Sequence, residues 1–250
     1  LAVFLRNLSV KQNRIDAAWK GKAECEKCAV REVALFADLQ QQDFSHIHLP
    51  IDELFLDSGH TIYSAGDDGT ALYTVRTGLV KLVQFLPDGS QRIVRLLRHG
   101  DTLGLEAMLM QPYEHTAVIL QAAQLCRIPR EVVEQLSAET PRMHMQLMNK
   151  WHRCVQQADD WLLELSTGSA KARVARLLLH LVDMAQLDSS TDQENKCTLF
   201  SREDVGAMLG VTTETASRTV AEFKRRGYIE EVSYNNFVCD CRALRQMAGE

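Results

Sequence analysis

Apolar residues recur along this 250-residue chain with two different periods, and the change of period divides it. From about Leu49 to Arg130 they come in short β-branched and aromatic runs broken by turn residues. Thr61-Ile-Tyr63 leads into the turn set Ala65-Gly-Asp-Asp-Gly69, and Ala71-Leu-Tyr-Thr-Val75 follows. Leu79–Leu86 runs into Pro87-Asp-Gly89 and Gln91–Leu97 returns, which predicts a β-hairpin. Gly100, Asp101 and Gly104 end that run, and His115–Leu120 and Leu125–Ile128 read as further strands. Short strands at this spacing predict a small β-barrel or sandwich.

Past Arg130 the period lengthens to that of a helix, with one break expected at Pro141. Leu147, Trp151, Cys154, Ala158, Trp161 and Leu165 fall at steps of 4, 3, 4, 3 and 4. That is an a/d seam of almost three heptads. A single buried helix in a monomer would give the same stripe. Two tryptophans on a seam between two domains point instead to a parallel homodimer. Gly168 and Ser169 interrupt the helix before a second amphipathic one, Lys171–Ala185, and Asp188–Asn195 is a polar loop. Residues 1 to about 40 are mixed in pattern, with a helical stretch at Val30–Leu39.

The last region is the most specific. Ser201 followed by Asp204 predicts a capped helix start, Gly210 its end, and Thr212 the cap of a second helix. Ala216, Val220 and Phe223 would face Val205, Met208 and Leu209, leaving Thr213, Glu214, Ser217 and Arg218 outside. Two short helices joined by a Gly-containing turn, the second offering polar residues near its N-terminus, form a helix-turn-helix. Arg218 suits a bidentate bond to guanine and Glu214 suits a cytosine amine. Lys224, Arg225 and Arg226 would complement the helix dipole and meet phosphate. Tyr228–Val232 and Phe237–Cys239 flank Tyr234-Asn-Asn236 as a hairpin, a wing. The bland alternative is a helical hairpin with solvated faces.

Composition narrows the picture. With 46% hydrophobic and 24% charged residues the chain can build a core, and no apolar run approaches the about 18 residues a membrane span needs. Lys11, Arg14, Lys20 and Lys22 interrupt any signal-peptide pattern. Seven scattered cysteines do not make a disulfide scaffold, so a cytoplasmic, reducing location is expected. The net charge of −5 excludes a broadly basic surface, and residues 166–250 carry 11 Lys and Arg against 12 Asp and Glu. Nucleic-acid binding must therefore come from a local patch. No Ser-His-Asp context, P-loop or HExxH is present, so an enzyme is not expected; a ligand-binding protein without a DNA role is the rival class.

A β-rich domain, a long dimerisation helix and a C-terminal winged helix-turn-helix together resemble the Crp/Fnr family of bacterial transcription regulators, from about Cys25 to Gly249. Glu214-Thr-Ala-Ser217-Arg218 matches the Glu-x-x-Ser-Arg of the Fnr branch. The Crp branch carries Arg-Glu-x-x-x-Arg there, and Thr213 replaces its first arginine. The resemblance implies an α+β chain in four parts: an N-terminal segment with a Cys pair (1–40), a β-roll sensor domain of the cyclic-nucleotide-binding jelly-roll type (41–136), a dimerisation helix (137–166) and a winged helix-turn-helix (167–250). It implies double-stranded DNA with TTGAT-like half-sites as partner. DNA contacts would come from Thr213, Glu214, Ser217, Arg218, Lys224 and Arg225, and the Leu79–Leu97 hairpin would meet RNA polymerase.

The same resemblance frames the signal. Cyclic-nucleotide-binding members need a Gly-Glu pair and an Arg-Ser pair; here Leu105 follows Gly104, and His115 stands where the arginine should be. A histidine is a poor substitute for a permanent bidentate guanidinium, which argues against a cyclic nucleotide. Fnr-type oxygen sensors hold a [4Fe–4S] cluster with three N-terminal cysteines and a distant fourth. Cys25 and Cys28 match two, and Cys126, before Arg127-Ile-Pro129, matches the distant one. The remaining ligand should lie at Ala34 or Phe36, and neither can bind iron. Three thiolates leave the reading open between an iron–sulfur cluster completed by a non-cysteine ligand such as Asp38, Glu32 or a histidine, a Cys25–Cys28 thiol switch, a packed remnant, and a haem-bound gas or small ligand. Cys239 and Cys241 would share one strand face if the strand continued through both.

Overall fold

A computed structural model describes residues 35–40, 43, 47, 49, 51–188 and 195–249. Two compact units emerge, one of 1–84 with 95–155 and the other of 85–94 with 156–250. Their architecture is the expected one, a β-sheet domain, helices and a C-terminal helix-turn-helix.

Six antiparallel strands build the first sheet: β1 (Asp52–Leu56), β2 (Thr61–Tyr63), β3 (Ala71–Phe85), β4 (Gln91–Leu97), β5 (Thr102–Leu103) and β6 (Thr116–Pro129). They run in the order β1-β6-β3-β4, with β2 also on β6 and β5 on β3. The Pro87-Asp-Gly hairpin forms as expected, its Gly89 at φ 82° and its Asp88 carboxylate accepting from the Ser90 amide at 2.9 Å. Leu72, Val75, Val80, Ile93, Leu97, Ile119, Leu125 and Ile128 fill the interior.

Two pairs of expected strands turn out to be single long ones. Ala71–Val75 and Leu79–Phe85 fuse into β3, and the two runs after His115 fuse into β6, paired from Ala71↔Pro129 to Val83↔Thr116. Register shifts between Val75 and Val80 absorb the polar interruption. Gly78 sits there at φ 83°, and a Cβ on it would lie 2.2 Å from the Ala122 carbonyl oxygen. An apparent strand boundary in the sequence is thus a bulge that only glycine fits.

Helix α1 (Arg130–Glu139) leaves β6 directly, and Thr140 turns extended before α2 (Pro141–Leu165) starts. A residue preceding proline is driven out of the helical region, so the break falls where the sequence placed it. Within the first unit Met143 and Leu147 of α2 are buried. Arg142 pairs with Asp43 at 2.9 Å, and the Lys150 ammonium donates to the Gly100 carbonyl at 2.7 Å. Gln146 also donates to Asp38, so Asp38 serves this helix. The Val30–Leu39 stretch lies largely outside the described residues; its last part, residues 35–38, is a turn.

The second unit is built on α3 (Ala170–Asp188), longer at both ends than expected. It packs against α4 (Arg202–Leu209), α5 (Thr213–Arg225), α6 (Cys241–Ala248) and β7 (Lys196–Thr198). Strand β7 joins β9 (Asn236–Cys239), which pairs with β8 (Ile229–Ser233), in a small antiparallel sheet.

Candidate nucleic-acid interface

Local signals fix the helix pair. Ser201 Oγ accepts from the Asp204 amide at 3.0 Å and donates to the Asp204 carboxylate at 2.7 Å, tying off the first turn of α4. Gly210 ends α4 at φ 62°, in the left-handed region, and its amide bonds the Gly206 carbonyl. Thr212 then caps α5, its hydroxyl accepting from the Thr215 amide at 3.2 Å. Ala216, Val220 and Phe223 are buried against the α4 side, where Val205, Met208 and Leu209 are buried too. Gly206 was not among the expected site residues. A Cβ there would stand 2.7 Å from the Val211 carbonyl oxygen, so the turn passes too close to α4 for any other residue. A glycine inside a helical run just ahead of a turn is the signal that marks it.

With the inner face consumed, α5 presents Thr213, Glu214, Ser217, Arg218, Lys224 and Arg225 to solvent. Arg218 and Glu214 are 79% and 70% exposed and bonded to each other at 2.6 Å. Such an exposed pair contributes only about 0.2–1 kcal/mol, so a base edge can take either partner. Lys224 pairs with Glu231 of β8, and that carboxylate also accepts from the Asn235 amide at 3.1 Å. These bonds hold the Glu231 carboxyl below its usual pKa, the Lys224 bond contributing most. Asn235 takes φ 56° at the hairpin tip, beside Tyr234, which is 88% exposed. Helix end and wing are thereby joined, a link that sequence reasoning did not find.

On α2, the expected seam divides. Leu147 and Leu165 are buried within the chain, and Trp151, Cys154, Ala158 and Trp161 are half-buried. Burial also raises the Cys154 thiol pKa. The apolar residues left exposed are Met145, Met148, Val155, Leu162 and Leu163. The most exposed apolar stripe on α2 runs along Met148, Val155 and Leu162, one residue on from Leu147, Cys154 and Trp161. The reason is tertiary, since the side of α2 carrying Leu147 and Lys150 already serves its own unit.

Cys126 lies on β6 opposite Glu53 on one side and Thr74 on the other, half-buried. Glu53 forms an ion pair with Arg76. Cys25 and Cys28 lie outside the described residues, as does Ala34; Phe36 is described and carries no ligating atom. Among the described residues no three His, Cys, Asp or Glu side chains gather as a metal site, so these residues do not by themselves fit a four-ligand cluster. His115 is pushed toward its neutral form, chiefly by burial, and does not supply a fixed positive charge.

Residues 53–140 match the cyclic nucleotide-binding domain family, and residues 172–247 match the Crp-like helix-turn-helix domain. The chain belongs to the Crp/Fnr family of transcription regulators. It is 26% identical over 226 residues to the fumarate and nitrate reduction regulatory protein of Escherichia coli, covering 90% of each chain. An anaerobic regulatory protein of Aggregatibacter actinomycetemcomitans is 25% identical, over 82% of this chain and 80% of its own. A CRP-family transcriptional regulator of Thermus thermophilus superposes with a TM-score of 0.68 at 27% identity, over 78% of this chain and 96% of the other. As a Crp/Fnr protein the chain is a DNA-binding transcription regulator rather than an enzyme. No helix among the described residues is long and apolar enough to cross a membrane.

Proposed function

We propose that this regulator binds TTGAT-like palindromes as a parallel homodimer and answers to oxygen or redox state. The observation that carries the DNA reading is the outer face of α5, where Glu214, Ser217 and Arg218 stand exposed over a buried Ala216, Val220 and Phe223. Arg218 reads guanine, Glu214 accepts from a cytosine amine, Thr213 and Ser217 bond beside them, and Lys224 and Arg225 hold phosphate. Dimerisation runs along Met148, Trp151, Val155, Ala158 and Leu162, at steps of 3, 4, 3 and 4. A change in the packing of that seam alters the spacing of the two recognition helices and hence the affinity. The four-part division at residues 40, 136 and 166 follows the same scheme, and the Leu79–Leu97 hairpin is the surface offered to RNA polymerase.

The signal enters through Cys25, Cys28 and Cys126. Support comes from the anaerobic and fumarate–nitrate regulators among the relatives and from the Cys126 position on β6. An iron–sulfur group held there would supply oxygen lability; three thiolates would leave it one ligand short of an all-cysteine shell. A neutral His115 and a Leu105 behind Gly104 disfavour a cyclic phosphate at this domain.

One preparation tests both parts. Protein purified without oxygen is assayed for iron and sulfide, then for retardation of a TTGAT palindrome before and after exposure to air. The expected result is specific retardation that changes on exposure. Retardation indifferent to air would remove the oxygen reading, and retardation of scrambled DNA alone would remove the sequence assignment.

A further inference from the structure

Three cysteines of the second unit converge outside the surface just described. Cys197 on β7 and Cys239 on β9 are 4% and 3% exposed, and their sulfurs are 3.6 Å apart. Cys197 pairs with Phe237, so Cys239, two residues on, lies diagonally across the ladder on the same sheet face. Cys241 begins α6 instead of continuing β9; its sulfur bonds the Asn195 side-chain oxygen at 3.2 Å. Cys239 and Cys241 therefore do not share a strand face, because the strand ends between them, and the sulfur facing Cys239 is that of Cys197 across the ladder.

We propose that Cys197 and Cys239 are a dithiol modification site inside the DNA-binding unit, closed to a disulfide by small two-electron oxidants of the peroxide class. The Cys197 S–H can donate to the Cys239 sulfur, which favours the Cys239 thiolate, while that same bond and, after it, burial push the Cys197 thiol up. Either sulfur can donate in this bond, and the steps balance with Cys239 as the nucleophile. Cys239 takes one oxygen from hydrogen peroxide, breaking the O–O bond and releasing hydroxide, and becomes a sulfenic acid. Cys197 then attacks that sulfur, the S–O bond breaks, and the oxygen leaves as water with the thiol proton. Two thiols and one peroxide give one disulfide and two waters. Nearly complete burial selects a small oxidant over a bulky disulfide such as glutathione.

Closure has a mechanical consequence. The sulfurs must come from 3.6 Å to about 2.05 Å, and diagonal neighbours sit about 7–8 Å apart at Cα, beyond the usual disulfide span. Strands β7 and β9 must shift, and β9 is one arm of the wing. Oxidation therefore loosens the protein from DNA; this arm, unlike the thiol chemistry, rests on the DNA-binding reading.

The full-length protein is reduced, treated with hydrogen peroxide, denatured, alkylated and mapped by mass spectrometry. The expected product is a peptide containing Cys197 linked to one containing Cys239, two hydrogens lighter than the pair and reopened by dithiothreitol. C197S should instead accumulate a Cys239 sulfenic acid trapped by dimedone. Full alkylation of both thiols after peroxide, or a link through Cys241, overturns the site whatever the variants do. DNA retardation by the same samples should be lost on oxidation and regained on reduction, with C197S losing less of it on oxidation than the unaltered protein. A mapped link with unchanged retardation overturns the coupling to the wing. Failure of the reduced protein to bind DNA would count against the function above and leave the thiol result standing on its own.

Discussion

Helices α2 and α5 differ in whether they leave large apolar side chains to solvent. On α5 the large apolar side chains are spent on the helix-turn-helix core, and the polar ones left outside are Thr213, Glu214, Ser217, Arg218, Lys224 and Arg225. On α2 the bonds of Arg142, Gln146 and Lys150 hold one side to its own unit, and the apolar side chains left outside are Met145, Met148, Val155, Leu162 and Leu163. A polar face with one arginine at its centre suits a charged, hydrogen-bonding polymer. An apolar stripe repeating every seven residues suits an identical helix. What a helix has left after its internal bonds are made determines the partner it can accept.

The comparison breaks most completely at Leu162, 62% exposed and apolar. Leu162→Glu places like charges across the seam in each dimer and should give monomers that no longer retain a palindrome. Sedimentation checks the first and gel shift the second; a dimer of unchanged sedimentation would put the seam elsewhere. Next in size, Arg218→Ala should weaken specific binding by about 1–3 kcal/mol, roughly five- to 150-fold, while leaving the dimer intact. A titration against specific and scrambled sites reads this, and equal losses on both would make Arg218 a phosphate contact. The smallest effect is at Thr212, where Ala removes the α5 cap and should lower unfolding stability by about 1 kcal/mol. Denaturant midpoints measure it, with specific affinity changing less than in Arg218→Ala.

The two helices also differ in how far they can be read from residue order. Everything that makes α4 and α5 lies within a few residues of where it acts: Ser201 with Asp204, Gly210 in the left-handed turn, Thr212 with Thr215. Such signals survive without knowledge of the rest of the fold. On α2 the stripes Leu147–Cys154–Trp161 and Met148–Val155–Leu162 lie side by side, and both are apolar. Choosing between them needs the positions of Asp38, Asp43 and Gly100, residues far away in the chain. The same distance hid the bulge at Gly78, whose requirement comes from Ala122 and Ala123 on β6. It also hid the Cys197–Cys239 approach, which depends on β7 pairing with β9 across the whole helix-turn-helix.

The carboxylates beside the recognition surface add a consequence for salt. Arg218 is matched by Glu214, Lys224 by Glu231 and Arg226 by Glu222. Ions gathered around DNA are set free when a bare protein cation displaces them, and their dilution is what makes binding favourable in weak buffer. Here each cation must first leave an anion of the same chain, which then recruits a dissolved cation of its own. Part of the entropy released by the DNA is thus taken back by Glu214, Glu222 and Glu231, and affinity falls less steeply with ionic strength than the basic side chains alone would dictate.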